Sequence, residues 1–388
     1  MFITNDIKYV GVNDHEIDLF EGQFTVPNGM AYNSYVITDE KTAVMDTVDA
    51  RFTAEWLGNI ESVLGGRKPD YLVVQHMEPD HSANIVNFLT AYPEATVIAN
   101  SKTLTMMKNF FDYDFDGKVQ LVEDGSSISL GRHELTFVFA PMVHWPEVMF
   151  TYDKADKVLF TADGFGKFGA LDVDEEWDCE ARRYYFGIVG KYGAQVQSVL
   201  KKAAALDINI ICPLHGPVWR KDLGWFIEKY DTWSRYAPET QGVLIVYASM
   251  YGNTENAAQA LATSLCDKGM SKVAMYDVSS THVSQLISEA FKYSHIVLAS
   301  VTYNLGIYPA MHDFLMDMKA LNLQNRTFAI IENGSWAVKS GDLMQKFVND
   351  ELKNMTVLNE RLSLASSMGT DKRTELEALA DAILESMK

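Results

Sequence analysis

The sequence predicts an α/β protein in two domains, residues 1–240 and 242–388, the second of them a doubly wound parallel sheet. Three observations carry this. At 388 residues the chain is long enough for two or three domains with substantial cores. Beyond Gly242, apolar strands at 243–248, 273–278, 295–300, 327–332 and 362–366 alternate with helical stretches, the pattern of repeated βαβ units. Between the halves, Arg235-Tyr236-Ala237-Pro238-Glu239-Thr240-Gln241-Gly242 breaks the preceding pattern with Pro and Gly among polar residues.

Composition narrows the function classes. Net charge is −19 with a pI near 4.8, which argues against nucleic acid or an anionic membrane surface as partner. No run of 18 apolar residues is present, so no transmembrane helix is expected. The start, Met1-Phe2-Ile3-Thr4-Asn5-Asp6, lacks a basic segment leading into an apolar one, so no signal peptide is expected. Cys179, Cys212 and Cys266 form no C-x-x-C pair, which excludes a disulfide framework and a rubredoxin-like or ferredoxin-like iron centre within the chain. The expected setting is the reducing cytoplasm.

In chain order, residues 33–37 and 42–48 read as a hairpin around Asp39-Glu40-Lys41, and 51–64 as an amphipathic helix. Tyr71-Leu72-Val73-Val74-Gln75 reads as a buried strand. It runs into His76-Met77-Glu78-Pro79-Asp80-His81, followed by the opening of a helix at 82–89. Strand 96–99 and helix 102–111 come next. Residues 118–152 are strand-rich, with one apolar run reaching His144. Strand 157–163 ends in Asp163, helices fill 177–206, and residues 208–216 read as a further apolar strand ending in a ligand, His215.

Candidate metal ligands therefore arrive at four strand ends: His76, Glu78, Asp80 and His81 together, then His144, Asp163 and His215. Carboxyl ends of strands are where open α/β folds place their sites. A polar loop holding two histidines and two acids by chance is the plain alternative, but four ligand-type side chains in six residues argue against it. Imidazoles with carboxylates and no thiolate suit iron, zinc or manganese. Seven ligands exceed the needs of one tetrahedral ion and match two ions sharing a carboxylate, with Asp163 as bridge. His15, His133, His282, His295 and His312 lack such a context and read as ordinary surface or core residues.

The first 240 residues resemble the metallo-β-lactamase fold, an αββα sandwich. Its hydrolytic members carry H-x-H-x-D-H, whereas Glu78 here replaces the second histidine, a harder ligand that favours iron. The H-x-E-x-D-H form, the histidine before Trp145-Pro146, the Thr161-Ala162-Asp163-Gly164-Phe165-Gly166 stretch and His215-Gly216-Pro217 are similar to the motifs of the flavodiiron proteins, or A-type flavoproteins. The resemblance implies one iron on His76, Glu78 and His144, a second on Asp80, His81 and His215, and Asp163 between them.

In the second half, Ser249-Met250-Tyr251-Gly252-Asn253-Thr254 follows the first strand and runs into a helix. Backbone N–H groups at a helix start can hold a phosphate, and with no Lys in the loop it is no nucleotide-hydrolysing P-loop, which points to FMN. Thr302, Tyr303, Asn304 and Gly306 lie after the third strand, and Asn333, Gly334, Ser335 and Trp336 after the fourth. Such loops can flank a flavin ring. Together the three loops look like flavodoxin.

Residues 1–240 and 242–388 thus jointly resemble a flavodiiron protein. That implies reduction of O2 to water or of NO to nitrous oxide at two Fe, with electrons passed through FMN from an external donor such as rubredoxin. It also implies a head-to-tail homodimer or a dimer of dimers. Two other readings remain open: a zinc hydrolase with an appended flavodoxin, and an FMN electron carrier without a working metal site. Trp145, Tyr184 and Tyr185 are expected near the metal site.

Overall fold

In the computed structural model, which describes residues 1–388, the chain divides into Met1–Asp231 and Thr232–Lys388. Two sheets face each other in the first unit. One has six strands in chain order: β1 (Ile7–Tyr9), β2 (Tyr35–Thr38), β3 (Thr42–Met45), β4 (Tyr71–Val73), β5 (Thr96–Ala99) and β6 (Val119–Leu121). The other has five, also in chain order: β7 (Ser127–Ser129), β8 (Glu134–Phe139), β9 (Met149–Asp153), β10 (Val158–Phe160) and β11 (Ile210–Cys212). Side chains alternate across a strand, so Tyr35 and Ile37, Ala43 and Met45, and Leu135 and Phe137 all point into the space between the sheets. There they form one buried cluster with Val73, Ile98, Met149, Phe160 and Cys212.

Helices cover the outer faces. Thr53–Leu64 buries Trp56, Ile60 and Leu64, four residues apart along one stripe, and ends at Gly65 in the left-handed conformation (φ 57°). Trp56 Nε1 donates to Ser34 Oγ at 3.0 Å, pinning this helix to the start of β2. The helix Trp177–Tyr184 runs into a π-helical turn, Tyr185–Val189. Such turns re-aim neighbouring side chains. Tyr184 accordingly meets His215 while Tyr185 meets Tyr230.

The second unit holds β12 (Thr240–Ala248), β13 (Val273–Asp277), β14 (Tyr293–Tyr303), β15 (Thr327–Asn333) and β16 (Thr356–Leu364). All are parallel, in spatial order β13-β12-β14-β15-β16, the flavodoxin-like doubly wound arrangement. Central strands in such a sheet are covered on both faces, which is why Val243-Leu244-Ile245-Val246 is wholly buried. β16 starts at Thr356, six residues before the expected strand, because its first half mixes Val357 and Leu358 with exposed polar residues and lies at the sheet edge, where the register shifts between Phe328 and Ile330. Arg326, 2% exposed, gives its guanidinium to the carbonyls of Tyr236, Ala290, Phe291, Gln324 and Asn325. No helix is long and apolar enough to cross a membrane.

Candidate metal and flavin sites

The turn after β4 sends its ligands two ways. His76 and Glu78 are two apart in extended backbone and so share a side. Pro79 then opens a short helical turn, Pro79–Ser82, with His81 N–H bonded to Glu78 O at 2.9 Å, and this swings Asp80 and His81 away from the first pair. The root of the turn is held by Asp46, whose buried carboxylate accepts from Gln75 N and Gln75 Nε2, each at 2.7 Å. Burial pushes the Asp46 carboxyl up to about 6, and these bonds oppose that rise.

His144 reaches the site differently from the sequence expectation. β8 stops at Phe139, and Ala140 N–H pairs with Val148 O across a loop closed by a Met142 N–H bond to Trp145 O. The ligand therefore projects from a loop five residues beyond the strand. Asp163 and His215 follow β10 and β11 as expected, and Leu214 N–H to Ala162 O (2.8 Å) ties their loops together.

All seven candidate ligands converge. Glu78 Oε2 lies 3.3 Å from His76 Nε2 and 3.0 Å from His144 Nε2. Asp80 Oδ2 lies 3.3 Å from His81 Nε2 and 3.2 Å from His215 Nε2. Asp163 spans the two groups: Oδ2 is 3.0 Å from His144 Nε2, and Oδ1 is 3.2 Å from His81 Nε2. Each group falls within the span of a single ion's ligands.

The atoms themselves test whether metal fits. His76 and His144 face each other through Nε2 at 3.3 Å, as do His81 and His215 at 2.9 Å. With Nδ1 of His76 and of His215 already donating outward, two neutral rings in either pair can place at most one proton between their facing nitrogens. Both oxygens of Asp80 and Oδ1 of Asp163 are buried without a hydrogen-bond donor. A cation between the paired nitrogens satisfies all of these, and the nitrogen and carboxylate set suits iron. Without it the cluster is a network of ion pairs. Burial disfavours charge throughout, yet the surrounding imidazoles hold the Asp163 carboxyl well below its ordinary range. Asp163 and Glu78 in turn lift the His144 imidazole to about 9.

Neighbours not flagged by the sequence orient these ligands. His76 donates from Nδ1 to Glu147 Oε1 at 2.8 Å, and His215 from Nδ1 to Ala31 O at 2.7 Å, fixing both rings with Nε2 inward. Of the aromatics expected here, Trp145 meets His76 edge to face with ring centroids 5.3 Å apart, and Tyr184 meets His215 with centroids 5.6 Å apart. Tyr185 instead packs against Tyr230 and Phe186. A cavity of about 400 Å³ bounded by Leu19, Phe20, Tyr32 and Arg51 opens onto Glu78, Pro79 and Asp80.

In the second unit, a cleft of about 320 Å³ is lined by Ser249, Met250, Tyr251, Asn253, Thr254, Thr302, Tyr303, Asn304, Asn333, Gly334, Ser335 and Trp336. Val301, Ala337 and Ser366 complete it. Gly252 and Gly306 stand behind the lining: Gly252 leads into the helix Asn253–Asp267, and Gly306 pairs with Tyr303 in a tight hairpin. Gly252 has φ 87° and no side chain caps this helix, so its first N–H groups are left for an anion. An exposed indole (Trp336) and a phenol (Tyr303) border the same cleft, which fits a flat ring with a phosphate tail.

The comparisons agree with this division. The ODP family beta lactamase matches residues 30–216, and the flavodoxin family matches residues 245–369. A nitric oxide reductase of Moorella thermoacetica is 32% identical over 361 residues, 90% of this chain and 89% of that protein. A rubredoxin-oxygen oxidoreductase of Megalodesulfovibrio gigas is 31% identical over 357 residues, 89% of this chain and 88% of that one. Among solved structures, rubredoxin oxygen:oxidoreductase from the anaerobe Desulfovibrio gigas superimposes with a TM-score of 0.92 at 29% identity, covering 100% of this chain and 98% of that one. With these relatives and this two-part architecture, the chain belongs to the flavodiiron protein family.

Proposed function

We propose that this chain reduces dioxygen to water, nitric oxide to nitrous oxide, or both, at a pair of iron ions supplied with electrons through FMN. The observation that carries the reading is Asp163, which offers one carboxylate oxygen to each group of ligands. When bound, the iron pair would supply electrons and adjacent positions for one O2 or two NO, and FMN the reducing equivalents.

The chain's own residues set up the rest. His76, Glu78 and His144 would hold one ion, Asp80, His81 and His215 the other. Glu147 and the Ala31 carbonyl keep two of the rings aimed. The cavity at Glu78 and Asp80 admits small molecules, while Phe20 (5.4 Å from His215) and Tyr32 (5.9 Å) wall it with rings that exclude water. Tyr184 Oη is buried with no hydrogen-bond partner. Burial, followed by the charge of Asp163, pushes its ionisation far up, so it holds its proton and can donate a hydrogen bond to a reduced oxygen atom. In the cleft, the open helix start would hold the FMN phosphate, and Trp336 and Tyr303 would flank the ring.

We read the electron donor as rubredoxin or a protein like it, which the name of the Megalodesulfovibrio gigas relative supports. We further read it as cytoplasmic and as a head-to-tail homodimer or dimer of dimers. The test is anaerobic consumption of O2 and of NO, with iron and FMN measured on the same sample. Two irons and one FMN per chain with turnover of either gas support the proposal. Zinc with hydrolase activity, or reducible flavin with neither gas consumed, overturns it.

A further inference from the structure

We infer that the two metal positions are unequal and fill in order, the one at His76, Glu78 and His144 first, because Glu147 stands behind it. This rests on the two-ion reading above. The inner ligands alone give no reason for preference. Each group has two imidazoles and one carboxylate of its own, and Asp163 serves both.

The difference lies one residue further out. Glu147 is fully buried and accepts from His76 Nδ1 at 2.8 Å and from Met77 N–H at 2.9 Å. Its other oxygen, Oε2, has no partner, and its only ion-pair partner is His76. The residue is held in place from behind, since Asn100, which caps the helix Ser101–Phe110, donates from Nδ2 to the Glu147 carbonyl at 2.6 Å. At the other position, the His215 ring is backed by a neutral carbonyl, and His81 Nδ1 is buried with no partner at all.

A carboxylate behind an imidazole raises its basicity and adds a nearby negative charge. Removing such an outer partner weakens metal binding by ~10–100-fold. Glu147 is therefore a positioning residue that makes one position the stronger. Half-loaded protein should hold its ion there, which leaves the His81 and His215 position exchangeable and open to a second kind of metal.

The experiment is anaerobic titration of the metal-free full-length chain with 57Fe(II), followed by calorimetry and Mössbauer spectroscopy. At one equivalent the wild-type protein should show one quadrupole doublet, the same doublet that His215→Ala shows. In Glu147→Gln the first binding step should weaken by ~10–100-fold and both environments should appear together at one equivalent. The second step should not move in that variant, an internal check that it is folded. Two doublets at one equivalent in wild type, a different doublet in His215→Ala, or an unaltered isotherm in Glu147→Gln would each overturn the inference. Filling in order without turnover of either gas keeps the loading order and sinks the reductase reading. Turnover with simultaneous filling does the reverse.

Discussion

At the metal cluster, seven side chains drawn from residues 76 to 215 meet with none more than 12% exposed. At the flavin cleft, Tyr251 is 88% and Trp336 80% exposed, and the lining comes mainly from the turns after three strands, one of which leads into an uncapped helix start. The first site is made by chemistry at side-chain tips. The second is made by chain path, with side chains added as walls. Loss of one tip should therefore cost more than loss of one wall, whereas the cleft should be sensitive to changes that move its backbone.

Four predictions put that contrast at risk. Asp163→Ala removes the only group shared by both ion positions. Bound iron, measured by elemental analysis, should fall below one per chain, and gas consumption should drop by more than the ~10–100-fold typical of an outer partner. Retention of two irons would remove the central claim about this cluster.

A second prediction asks whether buried titratable groups in the flavin-binding unit matter as much. His295 is 6% exposed, with its ring nitrogens 2.8 Å from Ser294 Oγ and 3.0 Å from Ser386 Oγ. Burial pulls its imidazole down to about 4. The unfolded chain, with an ordinary value near ~6.5, takes up the proton first. Stability present above that value is therefore lost as pH falls towards 4, by up to ~2–3 kcal/mol at pH 4.5. Denaturant unfolding at pH 7 and pH 4.5 should show a smaller difference in His295→Asn than in wild type, and equal differences would refute the assignment.

At Gly334, an added Cβ would lie 2.0 Å from the Ala337 carbonyl oxygen, so Gly334→Ala must shift the loop. Overpacking of this kind costs ~1–3 kcal/mol, and FMN affinity followed by fluorescence quenching should fall accordingly. Trp336→Ala, which leaves the backbone alone, should cost FMN binding only ~0.5–1.5 kcal/mol. Should Trp336→Ala prove the more damaging of the two, the side chains rather than the chain path hold the flavin.

Much of this was legible before the structure. His76 to His81 are contiguous, and the central parallel strands of the second unit carry apolar runs, so local pattern was enough there. The signals that failed were long-range ones. Glu147 lies 71 positions from His76, and an acid in a proline-containing loop carries no mark of its partner. Ser366 enters the flavin cleft through Asn333, which accepts from Ser366 N–H at 2.9 Å and donates to Ser366 O at 2.9 Å, a pairing across 33 residues with no local motif. The mixed, partly exposed first half of β16 hid for a related reason: an edge strand need not be apolar.

The cleft's lack of cationic lining has a consequence for behaviour in salt. No Lys, Arg or His borders it, in a chain of net charge −19. A phosphate held by uncharged N–H groups over short distances is screened little by dissolved ions. FMN retention should be nearly indifferent to ionic strength. The approach of a protein donor is a matter of long-range charge, so added salt should speed an acidic donor and slow a basic one.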